Sequence, residues 1–357
     1  MALTINVPDT LRKSVEGASN GKNTVLYTAK GQPCYMYVLQ RADLAAAATA
    51  LGLANHPAFT VGGVLKSELL IAQHLGASLN GEMVSQPGQR PANTITHDAA
   101  ISLARANGAG WHLMTNVEWG ALAHWCKLNG FLPRGNTDYG RSSDVATERG
   151  VDDVTGRLAL AAGTATTWTR TGSGPASWRH DNTPFGIADL NGNVWEWAPG
   201  MRLNNGEIQI LADNDAAAWN GTTGADLSAT SAAWKAIDGA TGALVAPGSV
   251  GTVTYAATGT GNYALVCGSG AAFESMTNPG VTPVSAAALN VLKAHGLFPV
   301  GTGLGGDGFW ATLTGEMVPI RGGTWVSGAL AGVFAVNLFY ARSVSSPAIG
   351  ARPAFVL

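Results

Sequence analysis

Charged side chains are scarce in this sequence. Asp, Glu, Lys and Arg together make up 12% of the 357 residues, and the formal net charge is −2. Typical soluble domains carry about a quarter of charged residues. The chain has no run of basic residues and no acidic tail. We therefore expect neither nucleic acid nor an anionic membrane surface as a partner.

Cysteine is rare as well. Cys34, Cys126 and Cys267 lie far apart, and no CxxC pair or Cys/His cluster accompanies them. This pattern argues against a disulfide framework and against a structural zinc site. Neither a metal site nor a catalytic residue is predicted from it.

Long apolar runs are also missing. The longest ones fall well short of the ~20 residues that a membrane span needs. The N-terminal residues show neither the apolar region nor the cleavage site of a secretion signal. We expect no membrane insertion and synthesis in the cytoplasm. A role outside the cell would then require release by lysis or as part of a particle.

Glycine (47 residues) and tryptophan (11 residues) are abundant instead, which suits a loop-rich fold built on aromatic anchors. Near the N-terminus, residues 25–28 and 35–39 are strand-like and flank a turn at 30–33. They predict a small N-terminal module, residues 1–45, for oligomerisation or docking. Asp43 is predicted to begin the next helix as its N-cap.

Two further helices are predicted from their first residues. Thr96 is a typical N-cap for a helix that runs to about residue 107, and Thr115 with Glu118 forms a capping box. His97, His112 and His124 fall in the same region. Their spacing does not make one ligand face, so we interpret them as partly buried, hydrogen-bonded residues rather than metal ligands.

Residues 205–318 are dominated by Gly, Ala, Thr and Ser and contain few charges. We interpret them as a long insertion within a second domain, residues 46–357. A separate small domain is the alternative. The strand predicted at 194–197 comes just before this segment, after the tight-turn signal Asn191-Gly192.

The C-terminal segment has motif-like blocks at both ends and side chains of mixed chemistry between them. It begins with RGGTW (321–325) and includes IGARP (349–353). Between these blocks, aromatic, aliphatic, hydroxyl and small residues alternate without a period of 2 or 3.6. Such a pattern is typical of a scaffold that presents a surface.

Three blocks in fixed order resemble the formylglycine-generating-enzyme (sulfatase-modifying-factor) family. They are GWHLMTNVEWGAL (110–122), FGIADLNGNVWEW (185–197) and RGGTW…IGARPA (321–354). The resemblance implies an α+β, loop-rich fold of the C-type lectin-like type. The family's oxidases use a cysteine pair that lies within the third block, between its RGGTW-like and IGARPA-like parts, as copper ligand and redox group. Residues 323–349 contain no cysteine, so no enzyme activity is expected.

The C-terminal segment is also similar to the variable proteins of diversity-generating retroelements, the class that includes the phage major tropism determinant. Seventeen residues match the constant frame of that class: Gly323, Trp325, Gly328, Ala331, Gly332, Val333, Phe334, Ala335, Asn337, Leu338, Ala341, Arg342, Ser343, Ile349, Gly350, Arg352 and Pro353. Nine residues fall where the family's template carries mutable Asn codons: Thr324, Val326, Ser327, Leu330, Phe339, Tyr340, Val344, Ser346 and Ala348. Pro347 and Ala351 depart from the frame.

The resemblance implies that these nine positions, within a variable region 324–351, bind a ligand. Phe339 and Tyr340 would be its aromatic anchors. The expected function is recognition of a cell-surface protein or glycan receptor by a phage or prophage protein. The expected location is the virion tail or tip, with other virion proteins as partners and a homotrimer as the assembly.

Several alternatives remain at this point. The chain could be a copper-dependent oxidase with a relocated redox centre, or an invariant structural virion protein. Phe339, Leu330 and Val344 could be ordinary core residues. Glu196 could help to hold a structural calcium ion, although pairing with an Arg or a backbone N–H is favoured and no cofactor is predicted. Trp195 and Trp197 are interpreted as core residues.

Overall fold

The computed structural model of the chain describes residues 9–357, so the first eight residues of the predicted N-terminal module lie outside it. The described chain is an α+β, loop-rich protein. Its α-helices are α1 (Thr10–Ser19), α2 (Ala45–Ala50), α3 (His97–Arg105), α4 (Asn116–Leu128) and α5 (Ala286–Ala294).

The strands are short and mostly separated by long loops. Up to residue 210 they are β1 (Asn23–Tyr27), β2 (Pro33–Gln40), β3 (Thr60–Val61), β4 (Val64–Leu65), β5 (Glu68–Ala72), β6 (Ala77–Leu79), β7 (Glu82–Val84), β8 (Trp111–Leu113), β9 (Trp195–Trp197), β10 (Met201–Asn204) and β11 (Glu207–Ile210). After residue 210 they are β12 (Lys235–Ile237), β13 (Leu244–Val245), β14 (Thr254–Tyr255), β15 (Ala264–Leu265), β16 (Ala271–Ala272), β17 (Gly308–Ala311), β18 (Glu316–Met317), β19 (Ile320–Gly322), β20 (Gly332–Leu338), β21 (Ile349–Gly350) and β22 (Pro353–Phe355).

The first sheet joins both ends of the described chain. Its order is β1-β2-β5-β22-β8, and all neighbouring strands are antiparallel. The predicted hairpin near the N-terminus is present as β1 and β2. Because β2 pairs with β5 along five residues, this sheet spans the predicted boundary at residue 45. The suggested role in oligomerisation or docking stays a prediction.

The two predicted helix starts are confirmed. The Thr96 side chain accepts a hydrogen bond from the Ala99 amide at the start of α3. At α4, the Thr115 side chain accepts from the Glu118 amide and the Glu118 carboxylate accepts from the Thr115 amide, which completes a capping box. Asp43 does not cap α2. It lies in a 3-10 turn that precedes the helix, where its carboxylate accepts from the Gln40 amide.

The second sheet carries the C-terminal segment. Its order is β16-β17-β20-β19-β9-β21, with β20 in the interior. Side chains alternate between the two faces of β20. Phe334, Val336 and Leu338 join the main hydrophobic core, whereas Ala335 joins a second core that contains Trp195 and Ile320. Both faces of this strand are therefore buried, and only the loops that flank it can present side chains.

The sheet pairings do not support the alternative of a separate small domain for residues 205–318, because this segment shares sheets with residues on either side of it. It builds a third sheet, β13-β12-β11-β10-β18, whose strands β10 and β11 form a hairpin across residue 205. It also supplies β17, which pairs in parallel with β20 in the second sheet. Buried Arg321 donates hydrogen bonds to the carbonyl of Gly296, just past the C-terminus of α5, and to Asn116 at the start of α4.

A buried ion pair connects the first two sheets. The Arg352 guanidinium donates to both carboxylate oxygens of Glu196, at 3.0 and 2.8 Å, and both side chains are almost completely buried. Arg352 also donates to the carbonyls of Ala72 in β5 and Ala188. Of the two interpretations of Glu196, pairing with an Arg is confirmed. Trp195 and Trp197 are core residues, as predicted.

We predict that Glu196→Gln lowers the free energy of unfolding by about 3–5 kcal/mol, because it leaves the Arg352 charge buried without a counter-ion. Chemical denaturation monitored by tryptophan fluorescence measures this change. Glu68→Gln is the matched control. The Glu68 carboxylate accepts from Gln40 at an exposed site, and its loss should change the stability by less than about 0.5 kcal/mol. Equal effects of the two substitutions would contradict the assigned role of the pair.

Candidate ligand-binding surface

The first group of predicted variable residues lies in the loop between β19 and β20. Gly322 and Gly323 open this loop with φ values of 91° and 93°, a backbone region that favours glycine. The loop is held by hydrogen bonds from the Trp325 amide to the Asn193 carbonyl and from the Gly328 amide to the Thr137 carbonyl. Neither of these two contacts involves a predicted variable side chain, although the Ser327 hydroxyl also accepts a hydrogen bond from the Thr324 amide.

Within this loop, Val326 is 51% exposed, and Ser327 and Leu330 are partly exposed. Thr324 differs from them. It is only 6% exposed, and its hydroxyl donates to the Asn193 carbonyl at 3.2 Å. Thr324 therefore cannot contact a ligand in this conformation, which corrects its assignment as a binding residue.

The second group follows β20. Phe339 is 41% exposed. Tyr340 is partly exposed and, like Trp310, packs against the second core. Since β20 has seven residues at about 3.3 Å each, roughly 20 Å separates Leu330 from Phe339 along the strand. The two groups therefore lie at opposite ends of β20 and do not form one compact cluster.

The third group, Val344, Ser346 and Ala348, lies on the loop that returns to β21. All three side chains are partly exposed. The Ala348 carbonyl accepts from the Trp195 amide at 2.9 Å, at the end of the second sheet where Asn193 holds the first loop. Ser346 and Ala348 therefore lie near the β19–β20 loop, and the return loop carries the chain there from Phe339.

Trp168 joins the first and third groups. Its indole N–H donates to the Pro347 carbonyl at 3.0 Å, and its ring meets that of Trp325 edge to face at 5.6 Å. The Arg90 guanidinium lies 4.4 Å from the centre of the same ring. Trp168 is partly exposed and comes from a loop about 160 residues before the variable region. Nothing in the sequence around Trp168 indicates this contact.

The residues of the predicted constant frame are mostly buried, in contrast to the predicted variable residues. Twelve of its seventeen residues are buried, and the exceptions are Trp325, Gly328, Ala341, Arg342 and Ser343. Arg342 is nevertheless fixed, since it donates to both oxygens of Glu316 and to Asp98. The alternative that Phe339, Leu330 and Val344 are core residues is not supported by their exposure. Eight of the nine variable positions remain accessible.

The cysteines are not arranged as a redox pair in the described chain. All three are free thiols, and Cys34 and Cys126 are completely buried. Burial raises the pKa of Cys34 to about 12 and also raises the pKa of Cys126 and of Cys267. Thiols held in their protonated form are poor nucleophiles and poor metal ligands.

The histidines are buried rather than grouped as ligands. His112 contacts the Glu118 carboxylate at 2.9 Å, and His97 contacts Asp98 at the same distance. His124 lies 3.3 Å from His56, and both are buried beside the C-terminus of α5. The interpretation of His97, His112 and His124 as hydrogen-bonded residues is confirmed. Residues 9–357 contain no group of three or more His, Cys, Asp or Glu side chains arranged to hold a metal.

No protein-family model matches the chain, and no curated protein matches it either. Among the helices of residues 9–357, none combines the length and the apolar character that a bilayer crossing requires.

We predict that Trp168→Phe loosens the return loop. The substitution keeps an aromatic ring but removes the hydrogen bond to Pro347, which contributes about 1 kcal/mol. Amide hydrogen exchange of residues 344–349 should become faster, while the core of β20 stays protected. Trp310→Phe is the matched control, because the described chain shows no acceptor for its indole N–H. Unchanged exchange in the Trp168 variant would contradict its role as a clamp.

We also predict that acid destabilises the fold. Burial lowers the pKa of His124 and of His295 to about 4, and burial together with these two neighbours lowers that of His56. The unfolded chain protonates near pH 6.5 and therefore binds more protons below that pH. The free energy of unfolding should fall as the pH is lowered from about 6.5 to about 4. Chemical denaturation at several pH values measures this slope, which His124→Asn should reduce. A flat profile would contradict the prediction.

Proposed function

We propose that this chain is a ligand-binding protein with a C-type lectin-like domain of the formylglycine-generating-enzyme type, whose segment 324–351 is diversified by a retroelement. One observation carries the proposal. In that segment, most frame residues are buried, whereas eight of the nine predicted variable side chains are accessible. Diversification of those eight positions leaves the core untouched, as a surface that must change its ligand requires.

The meeting of the three motif blocks supports the proposed subtype of the fold. The Met114 amide of the first block donates to the Arg352 carbonyl of the third, at 2.9 Å. Arg352 pairs with Glu196 of the second block. The blocks that carry the resemblance therefore contact one another in space, although they are far apart in sequence.

The chemistry of the accessible positions supports a cell-surface protein or glycan as the ligand. Phe339 and Tyr340, which are neighbours in the sequence, offer aromatic rings that suit both sugar faces and protein hot spots. Val326 and Leu330 add apolar area, and Ser346 adds a hydroxyl. Because the groups are spread along β20, a broad ligand surface fits better than a small molecule. Presentation on a virion as a homotrimer would raise the avidity of such a site.

Tolerance of the fold to diversification is directly measurable. We predict that a library randomised with NNC codons at Val326, Ser327, Leu330, Phe339, Tyr340, Val344, Ser346 and Ala348 stays largely folded. A matched library randomised at eight buried frame residues should lose most folded members, since core substitutions cost several kcal/mol. Protease resistance of displayed variants measures the folded fraction. Equal losses in the two libraries would contradict the proposal.

Binding itself needs a second experiment. The purified protein is tested against a panel of bacterial cells, and we predict that Val326→Ser combined with Phe339→Ser changes which cells it binds. The control combines Val250→Ser and Val281→Ser, which are 99% and 73% exposed and lie outside the segment. Cell binding that both double variants keep unchanged would place recognition elsewhere. A neighbouring reverse-transcriptase gene with a near-copy of the codons for 324–351 would identify the source of diversity.

A further inference from the structure

A small polar cavity lies behind the β19–β20 loop. Its volume is about 80 Å³, and polar groups line most of it. It is lined on one side by residues 328, 329 and 331–333, and elsewhere by residues that include Asp307, Asn191, Asp144, Ser142 and Thr137. The predicted function makes no use of this cavity.

Asp307 lies at the closed end of the cavity. It is 4% exposed, and its Oδ2 accepts a hydrogen bond from the Phe334 amide at 2.7 Å. No Lys, Arg or His of the described chain forms an ion pair with this carboxylate. Arg134, which also lines the cavity, pairs with Glu148, its Nε 2.9 Å from Oε2. A carboxylate buried in this way lacks the counter-charge that buried ions require.

Two glycines leave the space that this carboxylate occupies. A Cβ atom on Gly332 would come within 2.1 Å of Oδ1 and 2.2 Å of Oδ2, and one on Gly305 within 2.6 Å of Oδ1. The backbone is therefore shaped around the acidic group. Oδ1 has no hydrogen-bond donor within residues 9–357, so half of the carboxylate is free for another partner.

Asn191 supplies a second acceptor without a donor. Its side chain is 9% exposed and its amide nitrogen donates to the Pro133 carbonyl at 2.8 Å. This bond fixes the amide, and the buried Oδ1 is left without a hydrogen-bond partner in the described chain. Asp144 adds a carboxylate at the exposed side of the cavity, close enough to raise the pKa of Asp307 further after burial and Glu274.

We propose that this cavity binds a divalent cation, with Ca²⁺ preferred, through Asp307, Asp144 and Asn191. A cation supplies what both buried acceptors lack. The donors are oxygens only, which excludes a zinc-type site, and Ca²⁺ accepts six to eight oxygens in irregular arrangements where Mg²⁺ requires a near-regular octahedron. Wall hydroxyls, backbone carbonyls and water complete such a set.

The cation also has a consequence for the loop, and this consequence rests on the proposed function. Gly328 and Gly332 enclose one side of the cavity and flank Leu330 in the sequence. A bound ion would tie the backbone of that loop to Asn191 and Asp144, and so pre-organise the side chains of Ser327 and Leu330 for binding. Metal binding itself does not depend on whether the segment is diversified.

The test compares thermal unfolding of EDTA-treated protein with and without CaCl₂, together with calorimetric titration of Ca²⁺. We expect a saturable rise in Tm for the wild type and a smaller one with MgCl₂. Asp307→Asn should abolish the rise in Tm with Ca²⁺. In EDTA this variant should unfold at the same temperature as the wild type or at a higher one, because the isosteric amide removes a buried charge. Asp144→Asn should require a higher Ca²⁺ concentration for the half-maximal shift.

Asp213→Asn is the control, since Asp213 is an exposed aspartate that does not line the cavity and has a second carboxylate, Asp215, near it. It should respond to Ca²⁺ like the wild type. The proposal would be overturned if the wild type showed neither heat of binding nor a shift in Tm up to about 10 mM CaCl₂. That concentration is about ten times the dissociation constant of the weakest extracellular calcium modules. An Asp307→Asn variant that keeps the full response would also overturn the proposal. Neither result depends on cell binding, so failure of the metal site and failure of the proposed function are distinguishable.

Discussion

The structure depends on one guanidinium group. Arg352 makes four hydrogen bonds inside the protein, two to Glu196 in the second sheet, one to Ala72 in the first sheet and one to Ala188. Charge-assisted, bidentate contacts of this kind are geometrically specific, and breaking a buried pair leaves an uncompensated charge. Since Arg352 lies between β21 and β22, it fixes the end of the segment that carries the accessible side chains.

Buried frame residues form β20, whereas the accessible residues lie in the loops on either side of it. Its alternating side chains fill two cores, so the strand itself cannot vary without loss of packing. The loops on either side are held by backbone hydrogen bonds to Asn193 and Thr137, by Trp168 and by the Arg342–Glu316 pair. Loops that are fixed by backbone contacts can exchange side chains at low cost in stability. The accessible side chains of these loops can therefore differ without a change in the buried residues that hold the loops in place.

Local signals in the sequence were sufficient for the elements that local chemistry decides. The Thr115–Glu118 capping box, the N-cap at Thr96 and the hairpin near the N-terminus follow from neighbouring residues. The pairing of β2 with β5 and of β17 with β20 could not be predicted, because both pairings join strands that are distant in the chain or set in Gly-rich sequence without periodicity.

The candidate site shows the same limit. The division into buried frame and accessible positions was predictable from the resemblance, but the burial of Thr324 was not, since it depends on the Asn193 carbonyl, about 130 residues away. Trp168 and Asp307 have no local pattern that marks them. Their roles come from a tertiary contact with Pro347 in one case and from an uncompensated buried charge in the other.

The place of β22 in the first sheet has a consequence for biosynthesis. This strand lies between β5 and β8, yet it is translated after the whole of residues 324–351. The sheet therefore cannot close until the ribosome has read through that segment in the correct frame. A frameshift or a premature stop within it would leave the edges of β5 and β8 unpaired, and unpaired edges favour aggregation and proteolysis. An intact reading frame through residues 324–351 is therefore a condition for closing the first sheet.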